Sequence, residues 1–547
     1  GEGQQVAVRG LSGSFVTETV DGAKLGSRDL DSRSVNLDVV SSDLLNGIEV
    51  TKTLTPDLDA DAIAGSINLR TLSAFDRNQD SVSVRGELAI QEKSSDVNEK
   101  VSGDFTKLFG AGETWGIAGS ISYQNRKSVV DEYSVDDGLR ELAPGILSPR
   151  RFNLRNDPAE RIRLSGNLNL EFRPDEENSF FVRGTYARFK DDDIRARTRV
   201  EFDDATGANI LALSEDSIRV QRVDVEKRFR FTDQEDELYA ISAGGENVFG
   251  PFTLTYQADY SRNQSDQPSV EPRFRERDVT ATYDNLGIDG ADFDIFANPA
   301  RRSDPFNPAN FERRFITQYD RFIDDEVMAF KADLQRDMDL FGRAGSVKIG
   351  AKYQRRQRSV DQDRFDIDID DDAYDVDGDG IVTIADFNPA VPQDTDLNTG
   401  FFPNLSLVRS FAREAALAGR AAGDFTELFA ENNGFDYSVE EDVLSGYLMS
   451  KFNPTDTIQV IAGVRVEATK WRTEGNDTNI ISYDEDISEA LADALDAALA
   501  AGTATFTRAQ ADAFLADRFD ADGDPLEELA NVTAVSDRNS YVDFFPS

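Results

Sequence analysis

The sequence predicts a mainly β protein in which a small α+β domain precedes a transmembrane antiparallel β-barrel. Three observations support this fold class. Long segments of the 547-residue chain alternate apolar and polar residues with a period of two, which places one set of side chains on each face of a strand. The connections between these segments alternate between tight turns and long polar loops. The first 76 residues instead mix short β-branched runs with Gly and Asp turns.

The composition excludes several classes of protein. Cys and His are both absent, which excludes disulfides, zinc fingers, iron–sulfur clusters, Ser-His-Asp triads and HExxH sites. The 59 Lys and Arg stand against 103 Asp and Glu, and the net charge of −44 argues against sequence-independent nucleic-acid binding. No apolar run reaches the roughly 20 residues of a membrane-spanning helix. Carboxylate pairs are inevitable in so acidic a chain and give no evidence of catalysis, so we expect no enzymatic activity.

The strands that the alternation predicts begin near residue 81. In residues 252–260 the even positions are apolar, whereas Thr, Gln and Asp occupy all four odd positions. The same alternation occurs at 82–90, 115–123, 162–172, 347–353 and 458–468. About eleven strands and the start of a twelfth are expected. Because membrane barrels must close, we expect residues 77–547 to form part of a larger barrel that is truncated at its C-terminal side.

The predicted connections are of two kinds. Tight turns occur at 108–115, 172–180, 248–252, 339–345 and 452–456, and long loops with some helix occur near 125–160, 190–235, 265–325, 363–441 and 473–537. Outer-membrane barrels have short periplasmic turns and long external loops. Aromatic residues beside the tight turns fit an interfacial girdle. A soluble antiparallel β protein is the alternative, but such proteins seldom separate apolar and charged faces over so many strands.

Residues 1–76 carry a series of short motifs. They read VRG at 8–10, VDG at 20–22, SDLLNGIEVTK at 42–52 and GSINLR at 65–70. These motifs resemble the plug domain of TonB-dependent outer-membrane receptors. Residues 52–65 depart from the compact form common in that family and are similar to a proteobacterial subgroup that often takes up plant- or algal-derived nutrients, including oligosaccharides. The motif residues are Arg9, Gly10, Asp21, Gly22, Glu49, Lys52, Gly65, Asn68 and Arg70.

The resemblance implies a 22-stranded barrel with an N-terminally truncated plug, residues 1–76, in its lumen. It implies a bacterial outer-membrane receptor that binds a scarce nutrient, such as an oligosaccharide, iron chelate or corrinoid. Import into the periplasm would use energy from TonB, with ExbB and ExbD, and would require no cofactor. The family's TonB-contacting segment would precede Gly1. A passive porin-type channel and, less favoured, a surface β-rich carbohydrate-active protein are the alternatives.

Charged residues of the predicted plug are expected to form ion pairs with the barrel wall. Arg9, Glu49 and Arg70 are the candidates on the plug. Such pairs would hold the plug and remain breakable, because hydrated ion pairs are individually weak. The expected partners are Arg85, Glu87, Arg163, Glu171, Lys348, Lys352, Arg465 and Glu467.

The segment DVDGDGIVTIAD at 375–386 has the spacing of a calcium loop. Calcium loops place carboxylates at positions 1, 3, 5 and 12 and a Gly at position 6, with a backbone carbonyl at position 7. The segment is similar to a dockerin-type loop, because Asp stands at position 12. We expect a structural Ca²⁺ in an external loop, with a metal-free acidic cluster as the alternative. The candidate ligands are Asp375, Asp377, Asp379, Ile381, Thr383 and Asp386.

One predicted external loop combines aromatic and basic residues. Aromatic faces suit sugar rings, and Arg suits the carboxylates or phosphates of a chelate. We expect ligand contacts here, with a solvated or lipopolysaccharide-facing loop as the alternative. The candidates are Arg301, Arg302, Phe306, Phe311, Arg313 and Arg314.

Overall fold

The structure, a computed structural model, contains two β-sheets, one of four strands and one of 16. It describes residues 5–30, 32–37, 40–144, 146–202, 207–214, 217–284, 292–296, 305, 307–340, 343–367, 374–376, 378, 380–391, 399–427, 432, 434–455, 457–481, 510 and 529–546. The predicted fold class is confirmed: the chain is mainly β, with a small α+β domain before a large antiparallel sheet.

The N-terminal domain is built on the four-stranded sheet. Its strands are β1 (Val16–Val20), β2 (Ala23–Lys24), β3 (Leu45–Thr51) and β4 (Gly65–Thr71), and they lie in the order β2-β1-β4-β3. Strand β1 is parallel to β4, whereas β3 is antiparallel to it. A short helix α1 (Ala74–Arg77) follows. Val16, Val20, Leu25, Ile67 and Leu69 are buried in its core.

The large sheet follows the chain from one edge to the other. Twelve of its strands form one continuous path, in agreement with the predicted number, and α2 (Leu405–Ala422) interrupts the strands. Along the described residues, β5 pairs only with β6 and β20 only with β19, so these two strands are the edges. The path consists of β5 (Ser81–Ile90), β6 (Val97–Phe109), β7 (Trp115–Ala143), β8 (Ile146–Phe172), β9 (Asn178–Glu201), β11 (Ser217–Phe249), β12 (Phe252–Asp266), β15 (Glu312–Leu340), β16 (Arg343–Ile367), β18 (Tyr437–Phe452), β19 (Val460–Ile481) and β20 (Leu529–Pro546). The strands off this path are β10 (Ile210–Leu213), β13 (Ser269–Asp284), β14 (Asp292–Phe296) and β17 (Phe425–Glu427).

The strands extend much farther than the alternation predicts. Strands β7 and β8 pair from Trp115↔Phe172 to Ala143↔Ile146, so most of the loop expected at 125–160 is a hairpin. Strands β9 and β11, and then β13 and β15, occupy much of the loops expected at 190–235 and 265–325. In these extensions neither face is uniformly apolar. The sequence therefore lacks the alternation of apolar and polar residues that marks the halves of the same strands nearest the tight turns. Helix α2 lies within the loop expected at 363–441, for which the sequence predicts no specific helix. Most of the loop at 473–537 lies outside the described residues.

An apolar belt covers the outer face of the large sheet near the tight turns. Exposed residues of this belt include Val82, Leu88, Ile121, Leu168, Val182, Ile241, Phe330, Leu444 and Leu448. At the tight-turn end, Trp115 stacks on Phe172 with ring centroids 4.3 Å apart, and Phe172 on Phe180 at 6.1 Å. Contiguous exposed apolar surface of this extent marks a surface that contacts lipid or protein.

Tyrosines border the other side of the belt. The hydroxyls of Tyr186 and Tyr239 both donate to Glu237, at 2.8 and 3.0 Å, and Tyr353 donates to Asp442 at 2.6 Å. Phe249 and Tyr239 are about ten residues apart on β11, which is roughly 33 Å along a strand. At a tilt of about 40° the belt is therefore about 25 Å high, the height of the apolar band on a transmembrane barrel.

Helix α2 packs on the outer face above these tyrosines. The β9–β11 ladder runs without a bulge from Asn178↔Asn247 to Glu201↔Asp224, so Phe231 lies on the same face as Tyr239. Phe231 belongs to a buried cluster with Val408 and Phe411 of α2. Asn404 caps the start of the helix by accepting from the Ser406 and Leu407 amides, and Gly423 ends it. Among the described residues, no helix combines the length and apolarity needed to cross a membrane.

Candidate functional site

The N-terminal domain lies against the inner face of the large sheet, opposite the apolar belt. Its contacts run from β6, where Lys100 pairs with Asp43 at 2.7 Å, to β19, where Arg465 reaches Asp59 at 3.2 Å. Contacts on nearly every intervening strand require the sheet to curve around the domain. This inner face is polar, and the boundary between it and the domain is the candidate functional site.

The predicted motif residues hold the N-terminal sheet together. Asp21 and Gly22 form the β1–β2 turn with φ of 50° and 92°. The Asp21 amide donates to the Leu69 carbonyl at 2.9 Å, and the Asp21 carboxylate accepts from the Thr71 amide at 3.0 Å. Gly22 donates to the side-chain oxygen of Asn68 at 3.1 Å. These residue types are therefore explained by the local turn and its hydrogen bonds.

Two glycines of the motifs meet steric limits. A Cβ on Gly22 would lie 2.6 Å from the side-chain nitrogen of Gln257 in the large sheet, and a Cβ on Gly65 would lie 2.8 Å from the Thr51 carbonyl. Their positive φ values of 92° and 148° add to the restriction. Arg9 and Gly10 form another left-handed turn, at φ of 54° and 78°.

The ion pairs expected for the charged motif residues differ from those found. Glu49 and Arg70 pair with each other at 2.9 Å, and Arg70 also contacts Asp76 at 3.3 Å. The reason is the β3–β4 register, which sets Glu49 opposite Asn68 and diagonal to Arg70. Arg9 and Lys52 are exposed. None of these contacts joins the domain to the wall.

The segment 57–61 makes the ion pairs to the large sheet that Glu49 and Arg70 do not make. Asp57 pairs with Lys348 at 2.8 Å, while Asp59 pairs with Lys352 and, at 3.2 Å, with Arg465. We call the five residues of these ion pairs, Asp57, Asp59, Lys348, Lys352 and Arg465, the acidic latch. Arg465 is 3% exposed at its side chain and also donates to the Pro56 carbonyl at 3.2 Å. Four of the expected wall partners, Lys348, Lys352, Arg465 and Glu467, thus contact an unexpected segment of the domain, Glu467 by accepting from the Ala60 amide at 3.4 Å.

Electrostatics favour the charged state of this segment. Burial opposes ionisation of Asp59, but Lys352, Lys24 and Arg465 outweigh it and hold its pKa below the usual range. The pKa of Asp57 is lowered in the same way, where burial is outweighed by Lys348 and Thr55. In contrast, burial raises the pKa of Glu18 to about 8 despite the nearby Lys24. Glu18 is therefore mainly protonated at neutral pH, and Lys24 pairs with Asp61.

A second set of contacts holds the loop after β2. The fully buried carboxylate of Asp325 accepts from the Ser27 amide at 2.9 Å. Arg358 donates to the Ser27 carbonyl at 3.1 Å, and the Tyr437 hydroxyl donates to the Leu30 carbonyl at 2.5 Å. Arg28 pairs with Asp236, and both side chains are almost completely buried. The large sheet thus contacts both the backbone and a charged side chain of this loop.

The predicted ligand-binding cluster does not form an exposed patch in the part of the chain that can be described. Phe311 is fully buried, and its ring meets that of Phe401 edge-on at 5.3 Å. Arg314 pairs with the buried Glu226 at 3.0 Å, and the Arg313 amide donates to the Val382 carbonyl at 2.9 Å. Arg301, Arg302 and Phe306 lie outside the described residues. Phe311 and Arg314 thus serve packing and ion pairing within the protein.

The predicted calcium loop is folded back on itself where it is described. Asp375 accepts from the amides of Gly378 and Gly380, each at 2.7 Å. Asp386 accepts from the amides of Val376 at 3.1 Å and Thr383 at 2.8 Å, so the first and last carboxylates face the same turn. Ile381 is exposed, and Asp377 and Asp379 lie outside the described residues. The described residues alone contain no group of three carboxylates able to hold a metal.

Comparisons with known proteins give only remote similarities. No protein-family model matches the chain, and no curated protein matches it. Among solved structures, the siderophore receptor PirA from Pseudomonas aeruginosa is 8% identical, with 88% of this chain and 87% of that chain covered and a TM-score of 0.23. The siderophore receptor PirA from Acinetobacter baumannii is 8% identical over 99% and 85% of the two chains, with a TM-score of 0.23. The copper transporter OprC is 8% identical over 87% and 79%, with a TM-score of 0.26. Similarities at this level do not assign a function.

Proposed function

We propose that the protein is a TonB-dependent receptor of the bacterial outer membrane, in which the N-terminal domain is a plug. It binds a scarce nutrient, such as an oligosaccharide, iron chelate or corrinoid, and releases it to the periplasm. Energy comes from TonB, with ExbB and ExbD, and no step of the cycle involves covalent chemistry. The observation that carries the proposal is a domain held by breakable polar contacts on the inner face of a sheet whose outer face is apolar.

The supporting features agree with one another. The apolar belt is about as high as a bilayer's hydrocarbon band, and aromatic residues border both of its sides. Within the acidic latch, the Asp57–Lys348 pair stays partly hydrated, with 20% of Asp57 and 19% of Lys348 exposed. Hydrated pairs of this kind hold a domain in place and still release it under load. A passive porin would have no use for a domain anchored across its lumen.

The test is uptake by cells that express the gene, with and without TonB. Radiolabelled oligosaccharides, ferric chelates and a corrinoid are supplied to matched strains. Saturable, TonB-dependent uptake of one class is expected. Equal uptake in both strains would overturn the proposal and favour the porin, whose ion conductance in planar bilayers would also be high and unaffected by deletion of residues 1–76.

We also propose that residues 375–386 bind a structural Ca²⁺. The oxygen donors at positions 1 and 12 already face one turn, as a calcium loop requires. Tb³⁺ luminescence, sensitised by the adjacent Tyr374, is expected to saturate and to be displaced by Ca²⁺ at about 10⁻⁴–10⁻³ M, the range of extracellular modules. Asp386→Asn is expected to weaken binding at least tenfold, whereas Asp175→Asn at a tight turn leaves it unchanged. Equal luminescence from both variants would rule out the site.

A further inference from the structure

A cluster of arginines lies on the inner face of the large sheet, beyond the loop that contacts Asp325. We call it the arginine patch. Its position follows from the β15–β16 ladder, which is continuous from Ile316↔Ile367 to Leu340↔Arg343. Arg321 is four residues from Asp325 on β15, and Arg364 is six residues from Arg358 on β16, so all four share the inner face. The patch comprises Arg197, Arg230, Arg273, Arg321 and Arg364, together with Glu271 and Asp366.

Three of these arginines surround one carboxylate. Glu271 is fully buried and contacts Arg197 at 3.1 Å, Arg230 at 2.9 Å and Arg273 at 3.1 Å. Burial opposes ionisation of Glu271, but Arg273, Arg230 and Arg197 outweigh it and hold its pKa below the usual range. Burial, together with the cations of Arg228 and Arg199, lowers the pKa of Arg197 to about 10, although Glu271 opposes the shift. One carboxylate therefore does not neutralise the arginines around it.

Arg321 has no anionic partner among the described residues. Its guanidinium donates to the side-chain oxygens of Gln362 at 2.8 Å and Gln267 at 3.2 Å. Burial and the neighbouring Arg230 lower the pKa of Arg321. The group is thus fixed in position by two neutral amides while its charge remains uncompensated.

An aromatic ring completes the patch. Tyr319 lies between Arg230 and Arg364, whose guanidinium carbons are 4.6 and 5.1 Å from the ring centroid. Asp366 is only loosely associated with Arg364, at 4.0 Å, and instead accepts from Thr317 at 2.6 Å. About a quarter of the Arg230 side chain, 26%, stays exposed. The arginines are therefore preorganised and still reachable from the lumen.

The charge balance of the patch is opposite to that of the chain. The patch sets five arginines against Glu271 and Asp366, with Glu226 also acting on Arg273, in a protein whose net charge is −44. A local positive field inside an acidic protein concentrates anions at that place. Guanidinium groups also match carboxylate geometry through paired hydrogen bonds.

We propose that the arginine patch is the ligand site and that the ligand carries several carboxylates, one of which becomes the counter-ion of Arg321. This inference rests on the proposed receptor function and deepens it by naming the substrate class. Two sources offer the same chemistry: an oligosaccharide of uronic acids and a carboxylate chelate of a metal. A neutral oligosaccharide or a corrinoid would leave the positive charge of the patch unmatched.

The test is calorimetric titration of the purified full chain in detergent. The probes are digalacturonate, its neutral methyl diester, citrate and ferric citrate. Digalacturonate or one of the citrate probes is expected to bind with an affinity that falls as salt is raised, whereas the diester does not bind. The identity of the binding probe distinguishes the two sources.

Variants link the binding to the patch. Arg321→Gln is expected to weaken binding at least tenfold. Arg321→Lys keeps the positive charge but loses the paired donors of the guanidinium group, so it is expected to weaken binding by a smaller factor. Arg355→Gln is the matched control, because Arg355 lies on the outer face of β16 and pairs with Glu440 at 3.5 Å. Unchanged binding in Arg321→Gln, or equal binding of the diester, would overturn the inference. TonB-dependent uptake of a neutral nutrient would overturn it too, while leaving the receptor function standing.

Discussion

Asp59→Asn is expected to loosen the N-terminal domain by about 2–4 kcal/mol. The variant keeps the size of the side chain but leaves Lys352 and the nearly buried Arg465 without the carboxylate that joins them. Breaking a buried pair costs about 3–5 kcal/mol, and the lower range applies because 20% of the Asp59 side chain is exposed. The measurements are protease cleavage within residues 40–77 and ion conductance in planar bilayers, both of which should rise.

Glu49→Gln is the matched control for Asp59→Asn. It also removes one carboxylate from an ion pair of the N-terminal domain, but Glu49 and Arg70 are about half exposed, at 54% and 47%. Exposed pairs contribute about 0–1 kcal/mol. Equal protease sensitivity in the two variants would contradict the assignment of Asp59 to the latch.

The acidic latch also predicts that anchoring of the N-terminal domain depends on pH. A carboxyl whose pKa is lower in the folded state stabilises that state above its unfolded pKa, near 3.9, and loses this contribution as the pH falls. Asp57 and Asp59 both have lowered pKa values. Anchoring of the domain is therefore expected to be constant at neutral pH and to weaken below about pH 4. Asp59→Asn should show a smaller acid effect than the wild type.

Ile241→Arg is expected to destabilise the folded protein by about 1–2 kcal/mol in lipid vesicles, because Ile241 lies between the bilayer midplane, where an arginine costs about 2–4 kcal/mol, and the interface, where it costs about 0–1 kcal/mol. Ile241 lies on β11 between Phe249 and Tyr239, and 52% of it is exposed on the apolar belt. Urea titration in vesicles measures the effect. The cost arises only in lipid, because in water the same exposed residue would tolerate a charge.

Gln357→Arg is the control for the belt. Gln357 is also exposed on the outer face, but it lies beyond Tyr353 and donates to Glu440 at 3.0 Å. A change within about 0.5 kcal/mol is expected, as for an ordinary surface site. Equal destabilisation by both substitutions would show that the belt does not face lipid.

The sequence was informative wherever one physical constraint acted on a whole strand. Apolar residues such as Ile241 and Leu168 occupy every second position of their strands. One face of each strand is apolar, and the other face contacts a polar domain. The halves of β9 and β11 farthest from the tight turns lack this pattern, because α2 covers part of their outer face and ion pairs fill the inner face. Their strand structure is set by pairing with neighbours far away in the sequence, which local periodicity does not encode.

The candidate site was only partly predictable for the same reason. Lys348, Lys352 and Arg465 were expected at the wall because inward positions follow from alternation. Their partners were missed, although Asp57, Asp59 and Asp61 repeat at alternate positions and thus carry a usable signal. Arg321 was missed because the absence of an anionic partner for it among the described residues depends on the register of β15 with β16. Spacing along the chain does not reveal an uncompensated charge.

The parallel pairing of β1 with β4 has a mechanical consequence. Val16 lies beside Gly65, so the chain enters both strands at the same end of the sheet. The acidic latch fixes the chain just before Gly65. A force that pulls on the chain before Val16 therefore acts across the strands and separates their hydrogen bonds one at a time. Unzipping breaks the five residue pairs in succession, whereas shearing would load all of them at once, so β1 separates from β4 at a lower force when it is pulled from this end.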